Sequence, residues 1–584
     1  MIRSPRIASV LVDLTLMLSA SCGAPSEPKS RADASVGSKV EAGAGDGAAG
    51  DGGLRGGSIH ATAASKGYVT PSAGDAGSAA AARATCTFTR GAMPAATLEP
   101  TVPFGQAMPI DHIVVLVQEN HSFDQYLGHL AAYEATLGII NTIDSASDSA
   151  TNPTYPVDEP LPDGGIPTSD AGALHHYAHA PQLCYFDPGH SWFCNHVASD
   201  HGHNDGFFFT SDGYGGNQSF SGIDPSQLSG DRALWWYDER DLPSAYQIYS
   251  SFAISDAYFA DVLAPTYPNR QYLYAGTSFG EVANYSPSIG AYTEGKPSLI
   301  FDEMQDAGTS WTIYSEADPA IDGVMGISVA IRYGASTVST ISQFLADAAA
   351  GALPTVSFVD AIGATGDNEH PAAEIELGQH FVWRIANAVT TSPNWNHTAL
   401  FVLYDDAGGS FDHVNPPAAC PPDETAPRFY LVCANGDPCL GAACSACGAV
   451  MPRWADLLQP AAFDQYGFRV PFVLISPYAK PSYVSHHVYS HASILRFIET
   501  RAGLPALTNR DANADPFSDM FDWQSPPLLA PPTLIEPPID RAAVAACTSA
   551  LTPQVVPGRR WTAKGPRPDD EDTSDWLGRR RLVY

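Results

Sequence analysis

The sequence predicts an α/β fold: a mostly parallel central sheet covered by helices on both faces, a three-layer α/β/α sandwich. Two observations carry this. Ile113 to Val117, Thr355 to Val359, Ala399 to Tyr404 and Val470 to Ile475 are short, nearly continuous apolar runs, as expected of strands buried on both faces. Between them apolar residues recur at helical spacing: Phe381, Val382, Ile385 and Val389, then Ile494, Leu495 and Ile498, with Gly503 placed as a C-cap. Strands alternating with helices imply a parallel sheet, because each crossover carries the chain back over a face.

Taken in order, Arg3 and Arg6 precede an apolar stretch from Ile7 to Leu18 that ends in Ser19-Ala20-Ser21-Cys22-Gly23. A basic flank, a short apolar region and small residues make residues 1–22 a secretory or lipoprotein signal. Export to the periplasm, the medium or the outer membrane follows. Cys22 stands where a lipid would be attached and would tie the protein to a membrane; plain cleavage is the alternative. Residues 23–85 are almost all Gly, Ala, Ser, Asp and Pro, too poor in apolar surface to offset ordering, and read as a disordered tether. Residues 100–525 read as one α/β domain with loop-rich insertions at 135–235 and 415–465, and Phe123 to Leu130 as a helix after the first strand. Residues 526–584 carry Pro clusters and mixed charge, and are expected to form a poorly ordered extension.

Among 584 residues, 63 acidic against 30 basic side chains leave a formal charge of −33. That excludes a nucleic-acid binder, which needs basic patches to displace counterions. A phosphate-bearing substrate is also repelled unless a metal ion or local cations intervene. Ten cysteines suit an exported chain. Only Cys444 to Cys447 has CxxC spacing, so local disulfides are expected among Cys420, Cys433, Cys439, Cys444 and Cys447 rather than a zinc ribbon. Cys184 and Cys194 are expected to form another pair.

Two buried strands end in oxygen ligands. Ile113 to Val117 runs into Gln118-Glu119-Asn120, and Ala399 to Tyr404 runs into Asp405-Asp406 before Gly408-Gly409. In open α/β sheets ligands sit at such strand ends, and these carboxylates and the amide suit a divalent cation. Taken singly, Asn120 could be a helix cap and Asp405-Asp406 a turn. Thr266, in Ala264-Pro-Thr-Tyr-Pro-Asn-Arg270, opens a helix with Pro268 in its first turn. It is either an N-cap or a hydroxyl nucleophile at the positive end of a helix dipole. Eighteen histidines include several in loops beside Asp, Asn or Gly. Each alone reads as a surface or structural residue; as a set they supply acid–base groups and anion binders.

Together these stretches resemble the phosphoesterase family of bacterial phospholipases C and the related acid phosphatases. Five blocks occur in family order. They are Ile110 to Gly128, Asn204-Asp-Gly-Phe207, Asp256 to Thr277, Ser392 to Val414, and Arg469 to Pro477 followed by Ser490 to Glu499. The resemblance implies an alkaline-phosphatase-like fold and metal ligation by Glu119, Asn120, Asp405 and Asp406, with Thr266 both ligand and nucleophile. It further implies that His190, His370 and His491 bind phosphate oxygens or protonate the leaving group. His413, Asn269 and Arg270 are assigned to substrate binding. His121, Gln125, Asp406 and Ser490 depart from the family's usual Arg, His, Glu and Asp, and Asp405-Asp406 is similar to the acid phosphatase branch. The expected activity is an exported, metal-dependent phosphoric ester hydrolase working through a phosphothreonine on a phospholipid headgroup or a small monoester. The alternative is a degenerate surface protein that only binds. A sulfatase is disfavoured, because threonine cannot become the formylglycine aldehyde.

Overall fold

The computed structural model describes residues 78–156, 172–212, 228–287, 298–316, 318–361, 367–427, 431–432, 438–439 and 463–551. The N-terminal signal and tether lie outside them. Eight strands form the main sheet: β1 (His112–Gln118), β2 (Ala253–Ser255), β3 (Trp311–Ser315), β4 (Val338–Ser339), β5 (Val356–Asp360), β6 (Thr398–Tyr404), β7 (Phe472–Ile475) and β8 (Tyr483–Ser485). Their order is β8-β2-β7-β6-β1-β5-β3-β4. Every neighbouring pair is parallel except those made by β7, which runs against both β6 and β2.

All seven residues of β6 and all but the first of β1 are buried. Since alternate side chains point to opposite faces, this requires both faces to be covered, and the α/β/α layering follows. Each buried Val, Leu or Ile contributes roughly 1.5–3 kcal/mol. The helices that matter for the site are α1 (Phe123–Leu127), α2 (Trp192–Ser199), α3 (Thr266–Ala275), α4 (Ile375–Thr390), α5 (His491–Ala502) and α6 (Arg541–Leu551). The helix expected from Phe123 to Leu130 is two: α1 stops at Gly128, and a second begins at Leu130. Gly503 caps α5 at φ 70°, the left-handed conformation glycine adopts without penalty. Among the described residues no helix is long and apolar enough to cross a membrane.

Two expectations, both about cysteines, are corrected. Cys184 is bonded to Cys547 and not to Cys194, and Cys420 to Cys86 rather than within its own loop. Partners 334 and 363 residues away are set by the folded path of both termini, which local spacing does not encode. Cys433, Cys444 and Cys447 lie outside the described residues. Of the extension expected from 526 to 584, residues 526–551 run along the domain and residues 552–584 lie outside the described residues. The Leu528 carbonyl accepts from Trp395 Nε1 at 2.9 Å, and Gln247 bonds the backbone of both Thr533 and Ile535. The Cys184–Cys547 bridge then pins α6.

Candidate active site

The register of the central strands brings the carboxylates together. Gln118 lies opposite Tyr404 and Val117 opposite Asp360, so Glu119 and Asp405 emerge side by side, and Asp405 N–H bonds the Gln118 carbonyl at 3.0 Å. Asn120 then turns the chain at φ 63°, a conformation asparagine tolerates better than most residues. The β6 turn packs directly on it. Gly408 has φ 57°, and a Cβ there would lie 2.6 Å from Asn120 Cβ, so only glycine fits. Asp406 N–H donates to Asp405 Oδ1 at 2.9 Å and Gly408 N–H to Asp406 Oδ1 at 2.7 Å.

Thr266 is the first residue of α3 and is 9% exposed. Arg270 lies one turn later on the same helix face. Its Nε donates to Asp405 Oδ2 and its Nη2 to Glu119 Oε1, both at 2.6 Å, and Nη1 is 3.7 Å from Asp360 Oδ1. Asn368 Nδ2 donates to the other Glu119 oxygen at 3.0 Å. Thr266 therefore opens the helix whose next turn brings Arg270 to Glu119 and Asp405.

That rim is short of positive charge. Burial pushes the Asp405 carboxyl up to about 6, with Arg270 opposing the rise and Glu119 adding to it. Burial and the Asp405 charge push Asp406 up to about 7. Asp406 Oδ2 and Asn120 Oδ1 are buried and have no hydrogen-bond donor among the described residues. Buried acceptors left without a partner cost about 1–3 kcal/mol each. A divalent cation would satisfy both, so this donor set fits the ion expected there.

A model of the Phosphoesterase family matches residues 110–505. The chain belongs to that family. This phosphoesterase is 29% identical over 461 residues to phospholipase C B of Mycobacterium tuberculosis, covering 74% of this chain and 81% of that one. It is 27% identical over 468 residues to non-specific phospholipase C4 of Arabidopsis thaliana, covering 75% and 77%. Murine ectonucleotide pyrophosphatase / phosphodiesterase 5 superposes on 48% of the chain and 95% of its own, at 13% identity and a TM-score of 0.30. The protein is a hydrolase of phosphoester bonds.

Of the expected histidines, the phosphoesterase brings two to the rim. His190 Nδ1 donates to the Pro188 carbonyl at 3.0 Å, which directs Nε2 at Asn120 Nδ2, 3.3 Å away. His370 stands with its ring centre 6.1 Å from that of His190. One ligand atom from each of Asp187, His190 and His370 falls within 4.8 Å of the others. Burial opposes the charged form of His370, yet Asp187 and Glu119 hold its pKa above the usual value.

The remaining expectations fall elsewhere. His491 is fully buried, with Nε2 on the Asp405 carbonyl at 2.8 Å and Nδ1 on Tyr258 Oη at 3.1 Å. It positions the β6 end. Asn269 is spent on the backbone of Val262, Ala264 and Pro265. Arg270 is 1% exposed and turned to the carboxylates. Both sit on the inner face of α3, which is why neither presents an atom to solvent. His413 belongs to a separate network: Nδ1 is 2.7 Å from Asp124, Nε2 is 3.2 Å from Asp144, and Arg469 bridges Asp124 and Asp412.

Several residues at the rim escaped sequence reasoning. Asp360 ends β5 as Asp405 follows β6, so the strand-end rule would have found it. Asn368 had no signal beyond its nearness to His370. Glu369 is buried with a pKa raised by burial to about 8, and accepts from Tyr404 Oη at 2.6 Å and Tyr126 Oη at 3.4 Å. It anchors the loop that carries His370.

Proposed function

We propose that the phosphoesterase is an exported, metal-dependent enzyme of the phospholipase C type that acts through Thr266 and a phosphothreonine intermediate. The observation that carries this is the pair of oxygens, Asp406 Oδ2 and Asn120 Oδ1, without a donor among the described residues, beside the carboxylates held by Arg270 of α3, the helix that Thr266 opens. Glu119, Asn120, Asp405, Asp406 and Thr266 would hold the divalent ion. Such an ion supplies positive charge to the phosphoryl oxygens and favours the alkoxide form of a bound hydroxyl.

Thr266 Oγ1 attacks phosphorus in line, its proton passing to solvent. The new P–O bond forms as the bond to the departing alcohol breaks. His370, its pKa raised by Asp187 and Glu119 against burial, gives its proton to that alcohol. The N-terminal end of α3 favours the anion, with His190 beside Asn120. Water then attacks the phosphothreonine, His370 takes a proton back, and Thr266 is released with the phosphorylated headgroup leaving. Positioning and electrostatics supply most of the rate. The kinship with named phospholipases C supports a phosphodiester substrate. Export rests on residues 1–22, with Cys22 lipidated or its signal cleaved.

Thr266→Val and Asp405→Asn test the reading. Each is expected to lose at least about 10³-fold in kcat toward p-nitrophenylphosphorylcholine, with an unchanged circular dichroism spectrum. Chelation is expected to abolish wild-type turnover. Turnover near wild type in Thr266→Val overturns the nucleophile. A preference for p-nitrophenyl phosphate moves the substrate to monoesters.

A further inference from the structure

Away from the catalytic rim, α2 ends in a loop that buries a carboxylate without a hydrogen-bond donor among the described residues. Asp200 follows the last residue of α2 at φ 38°. His201, Gly202 and Asn204 are also left-handed, at 54°, 96° and 54°. The turn is closed by His203 N–H on the Asp200 carbonyl and Asn204 N–H on the Ser199 carbonyl, each at 3.0 Å. The Asp200 side chain is 0% exposed, and neither of its oxygens has a donor among the described residues. His203 Nδ1 lies 3.5 Å from Oδ2, on a side chain 52% exposed.

Two amide oxygens share this condition. Asn204 is 3% exposed; its Nδ2 donates to the Asp412 carbonyl at 3.0 Å, while its Oδ1 is buried without a donor. The Asn415 amide packs on Gly202, where a Cβ would lie 2.6 Å from Nδ2 and 3.2 Å from Oδ1, and that Oδ1 too is buried without a donor. An ionised carboxylate taken out of water without a partner costs several kcal/mol. The carboxyl-terminal end of α2 is also the negative pole of the helix. These oxygens call for a cation, and among the described residues only the half-exposed His203 offers a basic group to Asp200.

We propose that Asp200, Asn204 and Asn415 bind a calcium ion at the carboxyl-terminal end of α2, a site separate from the catalytic carboxylates. The donors are all oxygen, which selects a hard cation. Calcium accepts an irregular, water-completed shell, whereas magnesium demands a regular octahedron at short distances. The ion braces the helix whose other end positions His190: Asn195 on α2 donates to the His190 carbonyl at 2.8 Å. The inference is independent of the reaction proposed above.

The test is thermal unfolding of the full-length protein, freed of metal with a chelator and then titrated with CaCl₂ or MgCl₂. Wild type is expected to rise by at least about 2 °C with calcium and by less with magnesium. Asp406→Asn, which alters the catalytic rim, is expected to keep the calcium shift. Asp200→Asn is expected to lose it, and in chelator to unfold no lower than wild type, because it removes the buried charge. Asn415→Leu is expected to weaken the calcium midpoint at least tenfold and decides the matter if Asp200→Asn does not fold. No calcium shift in wild type, a shift equal in Asp200→Asn, or one abolished by Asp406→Asn overturns the site.

Discussion

Replacing Arg270 by methionine removes the guanidinium that, among the described residues, pairs with the carboxylates of the catalytic rim, while roughly keeping its volume. The residue is 1% exposed and holds Asp405 and Glu119 at 2.6 Å each, with Asp360 at 3.7 Å. Truncating one partner of a buried ion pair costs about 3–5 kcal/mol, because the remaining charge is stranded; here two carboxylates are stranded at once, so the upper part of that range applies. The carboxylates respond by taking up protons. Asp405 and Asp406 already stand at about 6 and 7, above the ordinary 3.8, chiefly through burial. A raised carboxyl pKa means that the folded state binds protons the unfolded state does not. Stability then falls as pH rises from about 4 through the folded value. The deficit of Arg270→Met is therefore expected to be largest at pH 7.5 and to shrink toward pH 5. Urea unfolding of both proteins in EDTA at the two pH values reads this directly. A loss under about 1 kcal/mol at pH 7.5, or a deficit equal at pH 5, would refute the assignment of Arg270 as the counter-charge of the site.

Gly378, inside α4, lies so close to Glu369 that an alanine Cβ would overlap Glu369 Cγ and come within 2.7 Å of its Cδ. Gly378→Ala is expected to cost about 1–3 kcal/mol and to lower kcat by shifting the His370 loop; a gain in stability, as helix propensity alone would give, counts against that packing. His413, 30% exposed, is raised to about 10 despite burial, by Asp124 and Asp144. Its contribution is complete below the unfolded value of 6.5 and fades as pH climbs toward 10. Allowing for screening, His413→Gln is expected to destabilise by about 2 kcal/mol at pH 6 and by much less at pH 10. A deficit constant with pH would remove the charge from the argument.

What could be read beforehand followed the physics of burial. Ile113 to Val117 and Ala399 to Tyr404 stood out because strands covered on both faces need no polar alternation, and the carboxylates stood out because they follow such runs. Ala253–Ser255 and Val338–Ser339 are too short to show any period, and they owe their pairing to neighbours across the sheet. The reversal of β7 leaves no trace in composition, since Val470 to Ile475 is apolar either way. Arg270 shows a different limit. Its motif marks it as part of the site, but whether the guanidinium meets phosphate or carboxylate depends on which face of α3 is inward. The His413 network was equally illegible, for its partners Asp124 and Asp144 come from separate segments.

The same charges answer how a protein of formal charge −33 admits a phosphate ester. At the rim, Glu119, Asp360, Asp405 and Asp406 face the Arg270 guanidinium, which leaves three negative charges when all are ionised, of which a divalent ion would cancel two. Beside His370, whose pKa is raised, the ion would leave one carboxylate charge uncancelled. Without it, a phosphoryl group would enter against uncompensated carboxylates in a low-dielectric site, where like-charge repulsion reaches several kcal/mol. Metal loading should therefore govern substrate binding as well as chemistry. Inorganic phosphate, a product analogue that needs no turnover, is expected to bind the loaded protein at least about tenfold more tightly than the protein in EDTA, as read by isothermal titration. Equal affinity in both would mean that Arg270 and the histidines suffice to draw phosphate in, and the charge balance argued for this rim would be wrong.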